Sequence, residues 1–181
     1  IAEAWPQWLK ENNVSDPFQR RLDAAFALAK DWETKPPSAP VIIAGSTGAT
    51  PSGRCLMKAA LKLPGGLVVL PGLDTSLTGK AREAIAKAPS HPQFALVRTL
   101  SLLGLDMKEI AEWPGQSSGP AGGARRSLVH EALAPADDTA DWRETLEALA
   151  TGNGTTTAGF AREALAGLSV IELPNEAAAA E

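Results

Sequence analysis

The chain has 181 residues, 44% of them hydrophobic, with 17 Lys and Arg against 21 Asp and Glu and a formal net charge of -4. That length can bury one good core, or one and a half domains, and no apolar run approaches the ~20 residues needed to cross a bilayer. An acidic balance argues against nucleic-acid binding by this segment alone. The lone cysteine, Cys55, excludes a disulfide framework and suits the reducing cytoplasm.

Residues 2–10 read as a short helix with Trp5, Trp8 and Leu9 on one side. Ser15-Asp16-Pro17 marks a second helix start, with Ser15 as the cap and Pro17 in the first turn. Phe18, Leu22, Ala25, Phe26, Ala29 and Trp32 follow at spacings of three and four. This helix should therefore bury one wide apolar face, most simply against a sheet. The proline-rich run 35–40 is the linker into the first strand.

Residues 41–74 carry the main architectural signal. The run VIIA (41–44) meets Gly45-Ser46-Thr47-Gly48, a helical pattern follows, Pro64-Gly65-Gly66 stops it, and LVVL (67–70) supplies a second apolar run. Continuous apolar runs of this kind suit strands buried on both faces, and the overall length is that of a strand–helix–strand crossover.

Two nucleotide patterns nearly fit the glycine turn. Gly48 and Gly53 have the glycine spacing of a phosphate-binding loop, but Arg54 and Cys55 occupy the lysine and hydroxyl places. A thiol is a poor ligand for magnesium. The dinucleotide pattern takes Gly45 and Gly48 as its first glycines, puts Pro51 at the third, and offers Asp74 as a ribose-binding acid. The plainer reading is structural: glycines that let the backbone turn, Thr50 or Ser46 capping the helix, and Pro51 in its first turn.

Residues 76–88 read as a short polar helix or lid, and His91-Pro92 opens an apolar helix with Phe94, Val97, Leu100, Leu103 and Leu105. His91 reads as a structural cap, because no catalytic partner stands at a motif spacing. His130 lies too far along the chain to form a metal motif with it. Residues 115–124 read as a flexible loop, and Arg125-Arg126 after it is the one basic pair that could touch nucleic acid. Helices follow over 126–133, 138–150 and 160–165, then a third strand over 169–173 and the start of a helix over 175–181.

Three strings in this order, GSTG (45–48), VVLPGLD (68–74) and HPQ (91–93), resemble the AddB family in its alphaproteobacterial form. AddB is a subunit of a bacterial ATP-dependent helicase–exonuclease that processes DNA double-strand breaks for recombination. The similarity extends to AEAWPQWL (2–9) and GLSVIELPNEAAAAE (167–181). It implies an internal piece of the helicase-like region, with the rest of AddB, the AddA motor subunit and DNA ends as partners. The family's iron–sulfur cluster and magnesium belong to its nuclease domain. A cluster of that kind needs four thiolates, and this chain offers only Cys55.

The expected fold is thus α/β, a three-layer sandwich with a parallel sheet of at least three strands. It would be a RecA-like, P-loop-like helicase lobe without a working phosphate loop, joined to a helical subdomain. The expected division is a helical segment (1–38), a lobe fragment (39–167) and a strand leading to a next lobe (168–181). The expected function is a non-catalytic scaffold and interface in break repair, with no catalytic residue, cofactor or metal of its own and some tendency to self-associate. The alternative is a small Rossmann-type nucleotide- or NAD(P)-binding enzyme using the Gly45/Gly48 turn.

Overall fold

The computed structural model describes residues 4–113 and 119–169. The chain divides into two compact units, Ile1–Ala111 and Glu112–Glu181. Among the described residues there are eight α-helices and one two-stranded parallel sheet.

In the first unit, helix α1 (Ala4–Glu11) buries no side chain. Its Trp5 and Trp8 indoles stack with centroids 5.4 Å apart. Helix α2 (Pro17–Thr34) is capped by Asp16, not Ser15, whose carboxylate accepts from the backbone N–H of Phe18 at 2.7 Å and of Gln19 at 3.3 Å. Pro17 takes the first helical position, where its missing N–H would have had no partner anyway.

Helix α2 packs on helix α3 (Pro51–Ala60), not on the sheet. Its contact stripe is buried Ala25 with half-buried Leu22, Ala29 and Trp32. Phe18 and Phe26 stay 72% and 58% exposed, so the wide face expected for this helix is narrower. A ten-residue helix spans only about 15 Å, too short to reach back over Phe18 as well. Phe26 sits roughly 80° round α2 from the centre of the stripe.

Strands β1 (Val41–Ala44) and β2 (Gly66–Val69) pair in parallel, with Ile42 opposite Leu67 and Ile43 opposite Val68. Helix α3 connects them and packs on both. It returns the chain so tightly that a Cβ on Gly66 would lie 1.7 Å from the Ala60 carbonyl oxygen, and only glycine can start β2. Val41 and Ile43 are half-buried, but Ile42 is 59% exposed and Leu67 41%.

The expectation of a three-layer sandwich with at least three strands is therefore overturned. The described residues hold two strands, and the sheet's second face is open. The third strand expected over 169–173 lies almost wholly outside the described residues. VIIA and LVV are the runs rich in β-branched residues that form strands, whereas alanine- and leucine-rich runs such as AAFALA (24–29) settle as helix.

Helices α4 (Gly79–Ile85) and α5 (Phe94–Leu103) complete the unit, with α5 packed on α3 and α4. The core holds Met57, Ala59 and Ala60 from α3, Ala81 and Ile85 from α4, and Leu96, Val97 and Leu100 from α5.

The second unit is built from helices α6 (Pro120–Ala132), α7 (Trp142–Gly152) and α8 (Thr157–Ala164), which pack pairwise. Helix α6 begins at Pro120, so residues 120–124 are helical where a flexible loop over 115–124 was expected. Proline in the first turn is preorganised for helix, and that outweighs the weak propensity of the glycines behind it. Phe160 is fully buried among Ala124, Ala150 and Ala164, with Leu128, Leu146 and Leu149 packed around them.

Three alanines leave little that could collapse into the space of a lost ring. Phe160→Ala is expected to destabilise the second unit by about 3–5 kcal/mol, read as faster hydrogen exchange of the α6–α8 amides while α3 and α5 keep their protection.

The cap of α2 predicts a pH effect. Bonds from the Phe18 and then the Gln19 N–H hold the Asp16 carboxyl below the usual carboxylate range. A lowered folded-state pKa stabilises above the unfolded value, and the contribution is lost as pH falls through the folded one. Acid should fray the α2 start first, with a smaller acid response in Asp16→Asn, by amide chemical shifts of Phe18 and Gln19 across a pH titration.

Candidate functional site

Because β1 and β2 run parallel, the loops that follow them leave from the same end of the sheet. In open parallel sheets that end is where ligands bind. The first loop is Gly45-Ser46-Thr47-Gly48, and both glycines take positive φ, 77° and 69°. The second runs from Pro71 to Asp74.

One backbone donor of the first loop, the Gly48 N–H, is used within the loop, and the first donors of α3 are used by its cap. Ser46 Oγ accepts from the Gly48 N–H at 3.2 Å. Thr50 caps α3, its Oγ1 accepting from the Gly53 N–H at 3.2 Å, with Pro51 in the first turn. The Arg54 N–H donates to the Thr50 carbonyl at 3.1 Å. A phosphate-binding loop aims such N–H groups outward at its anion.

The Arg54 guanidinium also turns inward. Its Nη1 donates to the Gly48 carbonyl at 2.7 Å and to the Ala49 carbonyl at 3.0 Å. Cys55, next along, is half-buried with a free thiol. The groups standing at the lysine and hydroxyl places thus fasten the loop or sit in the helix packing. They do not fit a nucleotide's phosphates and magnesium.

Helix α5 closes the site from behind, through residues that sequence reasoning missed. Thr99, 1% exposed, donates from Oγ1 to the Thr47 carbonyl at 2.8 Å. A Cβ on Gly48 would stand 2.6 Å from the Thr99 side chain and 3.2 Å from Met57 Sδ. Gln93 holds the other loop: its Oε1 accepts from the Asp74 N–H at 3.1 Å, and its Nε2 donates to the Gly72 carbonyl at 2.9 Å.

His91 serves the same corner, with Nδ1 accepting from the Gln93 N–H at 3.1 Å. The Asp74 carboxylate accepts from the N–H and hydroxyl of Ser76, shaping a turn at the place where a ribose-binding acid would stand. One signal for Gln93 was in the sequence, as it directly precedes the apolar run of α5. Thr99 had none, since a threonine inside an apolar helix gives no hint of a partner on a distant loop.

Gly45, Gly48, Gly53, Arg54 and Asp74 thus flank one end of the sheet, whereas Arg125 and Arg126 belong to the second unit. Arg125 donates from Nε to the Ala164 carbonyl at 2.9 Å and from Nη2 to the Ala166 carbonyl, capping the end of α8. Arg126 is exposed on α6. Among the described residues there is no cluster of three or more His, Cys, Asp or Glu that could hold a metal. None of the described helices is long and apolar enough to cross a membrane.

Comparison with protein-family models, with curated proteins and with solved structures finds no match.

The two loop glycines should respond differently to valine. A Cβ on Gly45 meets nothing within 4 Å, so Gly45→Val carries only the positive-φ strain of about 1–3 kcal/mol. Gly48→Val adds the overlap with Thr99 and should lose clearly more. Thr99→Val, which leaves the Thr47 carbonyl unpaired, should cost about 1–3 kcal/mol. Urea unfolding of the three variants checks the order.

Proposed function

We propose that the chain is a non-catalytic, helicase-like segment of an AddB-type subunit, a scaffold and interface in a cytoplasmic, ATP-dependent helicase–exonuclease that processes DNA double-strand breaks. The observation that carries this reading is the inward turn of Arg54 onto the Gly48 and Ala49 carbonyls. The cation that a motor would place on phosphate instead tightens the loop, so the loop serves architecture. In support, the strings behind the resemblance meet in space: the GSTG loop through Thr47 and Thr99, the PGLD loop through Gln93 of HPQ. Partners in this reading are the remainder of AddB, the AddA motor subunit and DNA ends.

One observation keeps the dinucleotide reading as a second possibility: space is open beside Gly45, where a ligand could approach the backbone. The two readings separate in one screen. The purified chain should hydrolyse neither ATP nor DNA with magnesium, and its thermal midpoint should not move with ATP, NAD or NADP. A true ligand at one hundred times its dissociation constant would add about 2.7 kcal/mol. Magnesium-dependent ATPase activity that disappears in Arg54→Ala would overturn the scaffold reading, and stabilisation by a dinucleotide would favour the second. Deleting residues 41–74 from a full-length AddB should abolish its assembly with AddA.

A further inference from the structure

The second unit carries a groove whose charge and shape go beyond the scaffold reading. It is an open groove along one face of α7 against the end of α6, with a volume of about 550 Å³. Ala148 and Leu149 give it an apolar lining, Gly152 and Asn153 close one end, and Glu131 and Glu144 stand in its walls. Among the described residues, neither of these two carboxylates is engaged in a hydrogen bond or an ion pair.

Charge is unevenly divided along the chain. Residues 112–181 hold four Arg and no Lys against eleven Asp and Glu, while residues 1–111 hold thirteen Lys and Arg against ten acids. The groove also adjoins the end of α7, at Gly152, where helix carbonyls add partial negative charge. Its field therefore repels nucleic acid and anionic lipid and draws cationic groups. Acids alone would hold a solvated cation, but an apolar lining between two unpaired carboxylates selects something with an apolar side as well.

We propose that this groove docks a basic amphipathic helical segment of a partner protein. The segment lays its apolar stripe on Ala148 and Leu149 and sets arginine or lysine heads against Glu131 and Glu144. Helix-in-groove recognition of this kind lays the anchors of an amphipathic helix into an apolar groove, and here Thr145, Ala148, Leu149 and Gly152 present one face of α7 as the floor. Only features of the second unit enter, so the glycine turn has no bearing on it.

The test uses the whole chain with a synthetic helical peptide bearing a leucine stripe flanked by arginines, its arginine-to-glutamate counterpart, spermine and a short DNA duplex. The basic peptide should bind by fluorescence anisotropy, weaken steadily with added salt, and shift amides confined to Glu131 and residues 140–153. Glu131→Gln with Glu144→Gln should weaken it at least tenfold. Ala148→Trp, which fills the groove and keeps both acids, should weaken it equally, with circular dichroism confirming that each variant is folded.

Equal binding by the glutamate counterpart, or unchanged affinity in either variant, would overturn the proposal. So would amide shifts elsewhere, spermine binding as tightly as the peptide, or the DNA duplex occupying the groove.

Discussion

The bond from the buried Thr99 hydroxyl to the Thr47 carbonyl sets the form of the first unit at the carboxyl ends of its strands. It joins a helix to a loop far away in sequence. Gly48 is confined to glycine because Thr99 stands against it. The same helix holds the second loop through Gln93, so α5 fixes both loops relative to the two strands. A buried hydroxyl bonded to a half-buried carbonyl resists loosening, since opening the bond would leave the Thr99 hydroxyl unsatisfied.

Local features of this arrangement were legible in the sequence. The two apolar runs, the helix between them, the positive-φ glycines, the Thr50 cap and the first-turn prolines follow from short-range chemistry, and each is present. The layer structure was not legible. VIIA and LVV look the same whether one face or two are covered, and coverage depends on where helices distant in sequence come to rest. Here α2 rests on α3, leaving Ile42 and Leu67 uncovered. The cap of α2 was missed by one residue because Ser15 and Asp16 are equally good caps in isolation.

The candidate site shows a similar division. Gly45, Gly48, Gly53, Arg54 and Asp74 could be selected as residue types suited to phosphate and ribose, and they do gather at one end of the sheet. Their direction could not be read. A guanidinium one position past a glycine serves a phosphate or a carbonyl equally well, and only the fold puts the Gly48 and Ala49 carbonyls within its reach. Arg125 is similar: its charge was legible, but not its bond to the Ala164 carbonyl at the end of α8.

The open face of the sheet raises a question of self-assembly. Among the described residues each strand has one hydrogen-bonded neighbour, and within that set each keeps an unpaired edge onto which another chain could template. Pro40 immediately precedes β1, and Pro71 lies two residues beyond the end of β2. Neither proline can donate to a ladder, and both resist a longer extended run. Four-residue strands bracketed in this way offer an incoming strand too few bonds to propagate from. The two prolines act as gatekeepers, so a short apolar sheet can remain partly bare without seeding fibrils.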